Sequence, residues 1–205
     1  MLFPVAALYY RRNYLGYLKP VKLYVILALI LNVLAVAMDK RLGDFTGSEW
    51  LMNNNYVYNI HSIVRFLCFC AFFERLKQPF LINLKRILPY VTAFLVILNF
   101  KFNESFFHAP TISSNLFALE AGVLLFYCLQ YYLFKLQEDS FSSRTSDFWI
   151  TTGLSIYVVF NFPFFLMYTS LSSDNQKFWW NIHNISYVIF CIFIAKAFYV
   201  PENER

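Results

Sequence analysis

The chain has 205 residues, of which 59% are hydrophobic, 21% aromatic and only 14% charged, with a formal net charge of +5. That is too little polar surface to clothe a water-soluble globule of this length. Its Lys and Arg residues are scattered through short connections and form no tract interleaved with aromatics, so the positive charge does not point to nucleic acid.

In chain order, Met1 to Tyr10 is apolar but too short to cross a bilayer. Arg11 and Arg12 follow it, whereas a secretory signal carries its charge first. The expected element is a membrane-embedded or interfacial stub, with a basic segment running on to residue 22. Six apolar runs then match the roughly 20 residues that a helix needs to span about 30 Å of hydrocarbon. They are Leu23 to Met38, Tyr56 to Phe73, Ile87 to Phe102, Asn115 to Phe134, Phe148 to Leu171 and Phe178 to Val200. Pro20 precedes the first run, Pro79 and Pro110 sit in connections, Pro89 falls in a first turn, Pro163 is expected to kink the fifth helix, and Pro201 ends the sixth. The predicted fold is an all-α polytopic membrane helix bundle: one transmembrane domain over residues 1–205, with six helices between 23 and 200 and a short tail at 201–205.

Positively charged loops are retained in the cytoplasm. One set of connections carries Arg11, Arg12, Lys19, Lys22, Arg75, Lys77, Lys85, Arg86, Lys135, Arg144 and Arg205, and the alternate set only Lys40, Arg41, Lys101 and Lys177. The expected arrangement is a multi-pass inner (plasma) membrane protein with both termini cytoplasmic, and with Lys196 snorkelling near the inner surface. The longest connection, Asp39 to Asn55, leaves no room for a second folded domain. Cys68, Cys70, Cys128 and Cys191 all fall in apolar runs without CxxC or His spacing, so they read as buried free thiols, with neither disulfide nor metal site nor cofactor indicated.

Ionisable and amide side chains interrupt the apolar runs at Asn59, His61, Arg65, Glu120, Asn161, His183 and Asn184. A charge at the bilayer centre costs at least about 2.5 to 3.5 kcal/mol, so such residues face a bundle interior or a wet cavity. His61 and Arg65 are four apart and share a helical face. Trp180, His183, Asn184 and Tyr187 form a stripe along the last span. All these residues fall in the half of their helices expected to face out. Arg65 lies about 5 Å deeper than Glu120, within reach of a guanidinium arm, so an Arg65–Glu120 ion pair is predicted with both histidines nearby. Trp149, Trp179, Trp180 and Tyr56 stand at span ends, where interfacial anchors are expected.

The segments NNNYVYNIHSIVRFLCFCAFFERL, ALEAGVLLFYCLQYYLFKL, DFWITTGLSIYVVFNFPFF and WWNIHNISYVIFCIFIAKAFY carry a resemblance. They are similar to a loosely defined family of small six- to seven-helix inner-membrane proteins of Bacteroidetes-type bacteria, of unassigned function and sometimes associated with sensor histidine kinases. Glu120, Trp149, Tyr157, Asn161, His183 and Asn184 match its pattern. Arg65 departs from it, since the resemblance implies an acidic residue there, and the stub Met1 to Tyr10 stands where a full first span is implied.

No HExxH or GxSxG motif is present, nor a Cys and His pair at nucleophile spacing. The expected function is a sensing or signalling component. It would bind a small molecule or lipid from the outer side through Asn59, His61, Arg65, Glu120, Asn161, His183 and Asn184, with membrane lipids and a histidine kinase or similar protein as partners. Two rival classes remain open. One is a membrane enzyme or small transporter of lipid-like substrates using Glu120 and a histidine; the other is an accessory subunit whose polar residues only fix helix register.

Overall fold

The computed structural model describes residues 1–10, 16–38, 54–76, 78–106, 112–138 and 145–200. Arg11, Arg12, Lys40, Arg41, Lys77, Arg144 and Arg205, which carry much of the predicted orientation, lie outside the described residues, as do Pro110 and Pro201. Among the described residues every regular element is a helix: α1 (Leu2–Tyr10), α2 (Lys19–Met38), α3 (Asn55–Arg75), α4 (Ile82–Phe102), α5 (Ser114–Gln137), α6 (Ser146–Met167) and α7 (Ser173–Tyr199), with 3-10 turns at Gly16–Leu18 and Tyr168–Ser170. The 6 helices from α2 to α7 are long and apolar enough to cross a membrane, and the protein is an integral membrane helix bundle.

Every spanning helix starts ahead of the apolar stretch that announces it, while α6 stops at Met167, short of the expected Leu171. Helix α2 begins at Lys19 and so takes Pro20 into its first turn, and α7 begins at Ser173. A hydropathy run marks contact with hydrocarbon, whereas a helix continues into the polar boundary wherever its backbone bonds persist.

Alternation of direction gives the bundle two ends. Helices α3, α5 and α7 start at what is here termed the distal end, the side that the sequence assigns to the outside; α2 starts and α7 finishes at the proximal end. The α2–α3 pair is pinned at both. Tyr56 Oη donates to Met38 Sδ at 3.2 Å and Asn54 Nδ2 to the Ala35 carbonyl at 3.3 Å distally, and Arg75 Nη1 donates to the Gly16 carbonyl at 3.0 Å proximally. Helices α2, α3, α5, α6 and α7 surround the polar core, and α1 packs on α7 and α2. The predicted stub is thus a helix against the bundle, with Ala7 in the apolar core. That core is aromatic, built on Tyr24, Phe69, Phe72, Phe73, Tyr127, Tyr157 and Phe190. All four cysteines are buried and free.

Helix α6 comes close to α7 at Gly153, where an added Cβ would stand 2.5 Å from Phe193 Cβ and 3.3 Å from Phe190 Cδ2. A small residue at such a crossing lets two membrane helices approach.

Helix α4 is the least embedded of the six. It begins at Ile82, so Pro89 sits inside the helix and not in its first turn. Proline has no N–H to offer the carbonyl four residues earlier, here that of Lys85. That carbonyl instead accepts a hydrogen bond of 2.8 Å from Tyr127 Oη on α5. One turn further along α5, Gln130 Nε2 donates to the Phe80 carbonyl in the connection before α4. Tyr127→Phe is expected to lower stability by about 1 to 3 kcal/mol, the cost of orphaning a buried carbonyl. Pro89→Ala should recover most of this in the Tyr127→Phe background, by restoring a backbone donor to the Lys85 carbonyl. Thermal unfolding of the four proteins in one detergent checks the coupling.

Candidate functional site

The polar core is built outward from one ion pair. The spacing that puts Ser62 and Arg65 a turn apart on α3 aims both at Glu120 of α5. Arg65 Nη2 donates to Glu120 Oε2 at 2.7 Å, Arg65 Nε donates to Oε1, and Ser62 Oγ also donates to Oε2. Both charged side chains are only 3% exposed. A bidentate fork is the strongest geometry a guanidinium offers a carboxylate, and at this depth each charge depends on the other. The predicted pair therefore forms. The face of the guanidinium is covered by Tyr157 of α6, with Cζ 4.7 Å from the ring centroid.

A second group joins α6 to α7. Asn161 Nδ2 donates to the Tyr157 carbonyl at 2.5 Å and to Ser186 Oγ at 3.1 Å, and Ser186 Oγ donates to the His183 carbonyl at 2.8 Å. With its nitrogen committed to two acceptors, Asn161 presents Oδ1 to His183 Nδ1 at 2.5 Å. In the neutral imidazole Nδ1 is then the donor and Nε2 the acceptor. The ring is held between Trp180, stacked at 4.8 Å and 19°, and Tyr157, edge-on at 5.7 Å.

The third group carries His61. Its ring stacks on Tyr24 of α2 at 5.9 Å and 14° and meets Tyr187 of α7 edge-on at 6.0 Å. Tyr187 in turn touches Tyr157 at 6.0 Å and accepts from Asn32 Nδ2 at 3.4 Å. His61 Nε2 and Tyr157 Oη are buried without a hydrogen-bond partner among the described residues, and Tyr24 Oη, although the Tyr187 hydroxyl faces it, meets no partner at good hydrogen-bond geometry. Such groups are normally satisfied, and leaving one unmet costs about 1 to 3 kcal/mol. The three are linked through the rings of Tyr187 and Tyr157 and adjoin Arg65, so they form one patch of unspent hydrogen-bonding capacity.

Of the seven predicted residues, His61, Arg65, Glu120, Asn161 and His183 converge. Asn184 does not: it lies exposed on the bundle surface, because one residue along a helix is about 100° around it. Asn59 is buried but turns elsewhere, donating to the Phe106 carbonyl beyond α4 at 3.2 Å. Trp180, expected as an interfacial anchor, packs inward on His183 and Tyr58. It also forms one side of a cavity of about 430 Å³ at the distal end, shared with Tyr168, Ser173, Gln176, Lys177 and Asn181. The sequence reading passed over Tyr24, Ser62 and Ser186. The two serines had a usable signal, each standing three residues from a site residue on its own helix.

Among the described residues no three His, Cys, Asp or Glu side chains converge as metal ligands. No family model, curated protein or solved structure matches this chain, so its site is read from its own chemistry.

Proposed function

We propose that this integral membrane protein is a sensing component. It binds a small hydrogen-bonding molecule, or the polar part of a lipid, at the patch formed by Tyr24, His61 and Tyr157. The observation that carries the reading is the set of three buried polar atoms lacking a well-formed hydrogen bond beside a sealed ion pair. A bundle selected for stability alone would hold phenylalanine where it holds Tyr24 and Tyr157.

The distal cavity beside Trp180 supplies the approach, and the Trp180–His183 stack separates it from the patch. Arg65 and Glu120 are already satisfied by each other, so they do not wait for a charged ligand. Their part is to couple α3 to α5, so that an occupant crowding Tyr157 shifts the fork and with it the two helices. A ligand moves such an equilibrium only through different affinities for two arrangements, and Pro163 in α6 gives the bundle a place to bend. The change would pass to a membrane or cytoplasmic partner of the histidine-kinase kind, with the distal end outside the cell membrane.

The test is native mass spectrometry of the detergent-purified protein with identification of bound small molecules, alongside thermal unfolding. Tyr24→Phe and Tyr157→Phe are expected to unfold at the wild-type temperature or above it, since each deletes an unmet hydroxyl, and yet to lose the bound species. His61→Ala should lose it as well. If no species is retained by the wild type, or if all three variants retain it unchanged, the patch is structural and the sensing reading is abandoned.

A further inference from the structure

A second cavity lies away from the polar core, on the flank where α4 stands off from the bundle. It is an open trough of about 560 Å³ between α4, α5 and α6, walled by Leu95 and Leu98 of α4, Leu119 and Gly122 of α5, and Phe162 and Leu166 of α6. Its depth depends on Gly122, where an added Cβ would stand 3.0 Å from the edge of Phe162. From Asn115 to Val123 it runs about 12 Å along α5.

The trough is polar only at its distal end. Asn99 and Asn115 line it there, and both are bound to one carboxylate. Asn99 Nδ2 donates to Glu104 Oε2 at 2.6 Å, the Asn115 backbone N–H donates to Glu104 Oε1 at 3.1 Å, and Asn115 Nδ2 donates to Asn99 Oδ1 at 3.1 Å. Glu104 is thereby held just beyond the lining, behind Asn99 and Asn115, with lone pairs to spare, since a carboxylate has about four acceptor sites. Three residues before Glu104 stands Lys101, whose Nζ lies 5.2 Å over the ring of Phe102, itself part of the trough wall.

An apolar channel in a membrane flank, with one fixed carboxylate and one ammonium beside its polar end, matches an amphiphile bearing the opposite pair. We propose that the trough binds a zwitterionic phospholipid with a primary amine, one acyl chain lying along α5, its ammonium on Glu104 and its phosphate toward Lys101. A primary ammonium brings three N–H donors to the carboxylate; a quaternary ammonium brings none, and an anionic headgroup is repelled by Glu104.

The experiment is native mass spectrometry of the full chain released from bilayers containing equal amounts of phosphatidylethanolamine, phosphatidylcholine and phosphatidylglycerol. The wild type should retain the ethanolamine lipid in preference to the other two. Glu104→Gln, which keeps the shape of the amide cluster, should lower that preference about tenfold, the worth of one charge-assisted hydrogen bond. Gly122→Leu should abolish retention of any lipid. Leu95→Trp fills the trough from a half-exposed position on α4 and should do the same if Gly122→Leu fails to fold. Equal retention of the three lipids, a preference for the glycerol lipid, or binding unchanged in Glu104→Gln and Leu95→Trp would each overturn the assignment. The variants leave the Tyr24, His61 and Tyr157 patch untouched, so this outcome is independent of the sensing test.

Discussion

Glu120→Leu is expected to destabilise the bundle by about 3 to 5 kcal/mol, because it strands the Arg65 guanidinium, only 3% exposed, without its carboxylate. Arg65→Met should be milder, because Ser62 remains beside the carboxylate left behind and still donates to it. The double variant Arg65→Met/Glu120→Leu should return close to wild-type stability or exceed it, since apolar side chains of similar volume often replace a buried pair without loss. Thermal unfolding of the four proteins yields the coupling directly. Wild-type stability for Glu120→Leu alone would show that the fork contributes nothing to folding. The double variant also separates stability from function, for on the sensing proposal it folds but no longer couples ligand to α3 and α5.

The second large effect is expected at Gly153. Gly153→Ala drives a Cβ against Phe193 Cβ, an atom fixed by the α7 backbone, so no rotamer change relieves it and the helices must part. Overpacking of this kind costs about 1 to 3 kcal/mol. The diagnostic is the failure of Phe193→Ala to rescue it, because alanine keeps the offending Cβ. Phe193→Gly removes that atom and should recover part of the loss, net of the glycine's own cost in a helix. Retention of the folded form in increasing denaturing detergent gives the ranking. Rescue by Phe193→Ala would mean that the ring and not the crossing distance sets the limit.

Much of this arrangement is legible from the chain. Six apolar runs give the six spanning helices, and the Arg65–Glu120 pair follows from position alone, since opposite charges at near-equal depth have few other ways to be accommodated in hydrocarbon. What escapes is whatever depends on angle. Asn184 and His183 are neighbours in sequence yet point to different surroundings. Asn59 and His61 share a turn of α3 but serve a connection and the core respectively. Tyr24 carries no mark of its role in the chain, and only the packing of α2 on α3 shows its ring reaching His61. Ser62 and Ser186 are easily overlooked, since a hydroxyl in a membrane helix commonly bonds its own backbone. Helix starts were missed for a different reason, the polar turns that extend α2 and α7 beyond their apolar runs.

The bond from Tyr127 to the Lys85 carbonyl bears on how the protein is made. Helix α4 emerges from the ribosome before α5, and at that moment its Pro89 leaves a carbonyl that nothing within α4 can satisfy. Lys85 stands in the first turn of α4 at its proximal end, where headgroups and water can serve the bare carbonyl, so α4 can enter the bilayer before α5 arrives. Tyr127 then replaces that water with a fixed partner, and the exchange sets which residues of the two helices face each other. A single proline thus gives the later span its docking point on the one before.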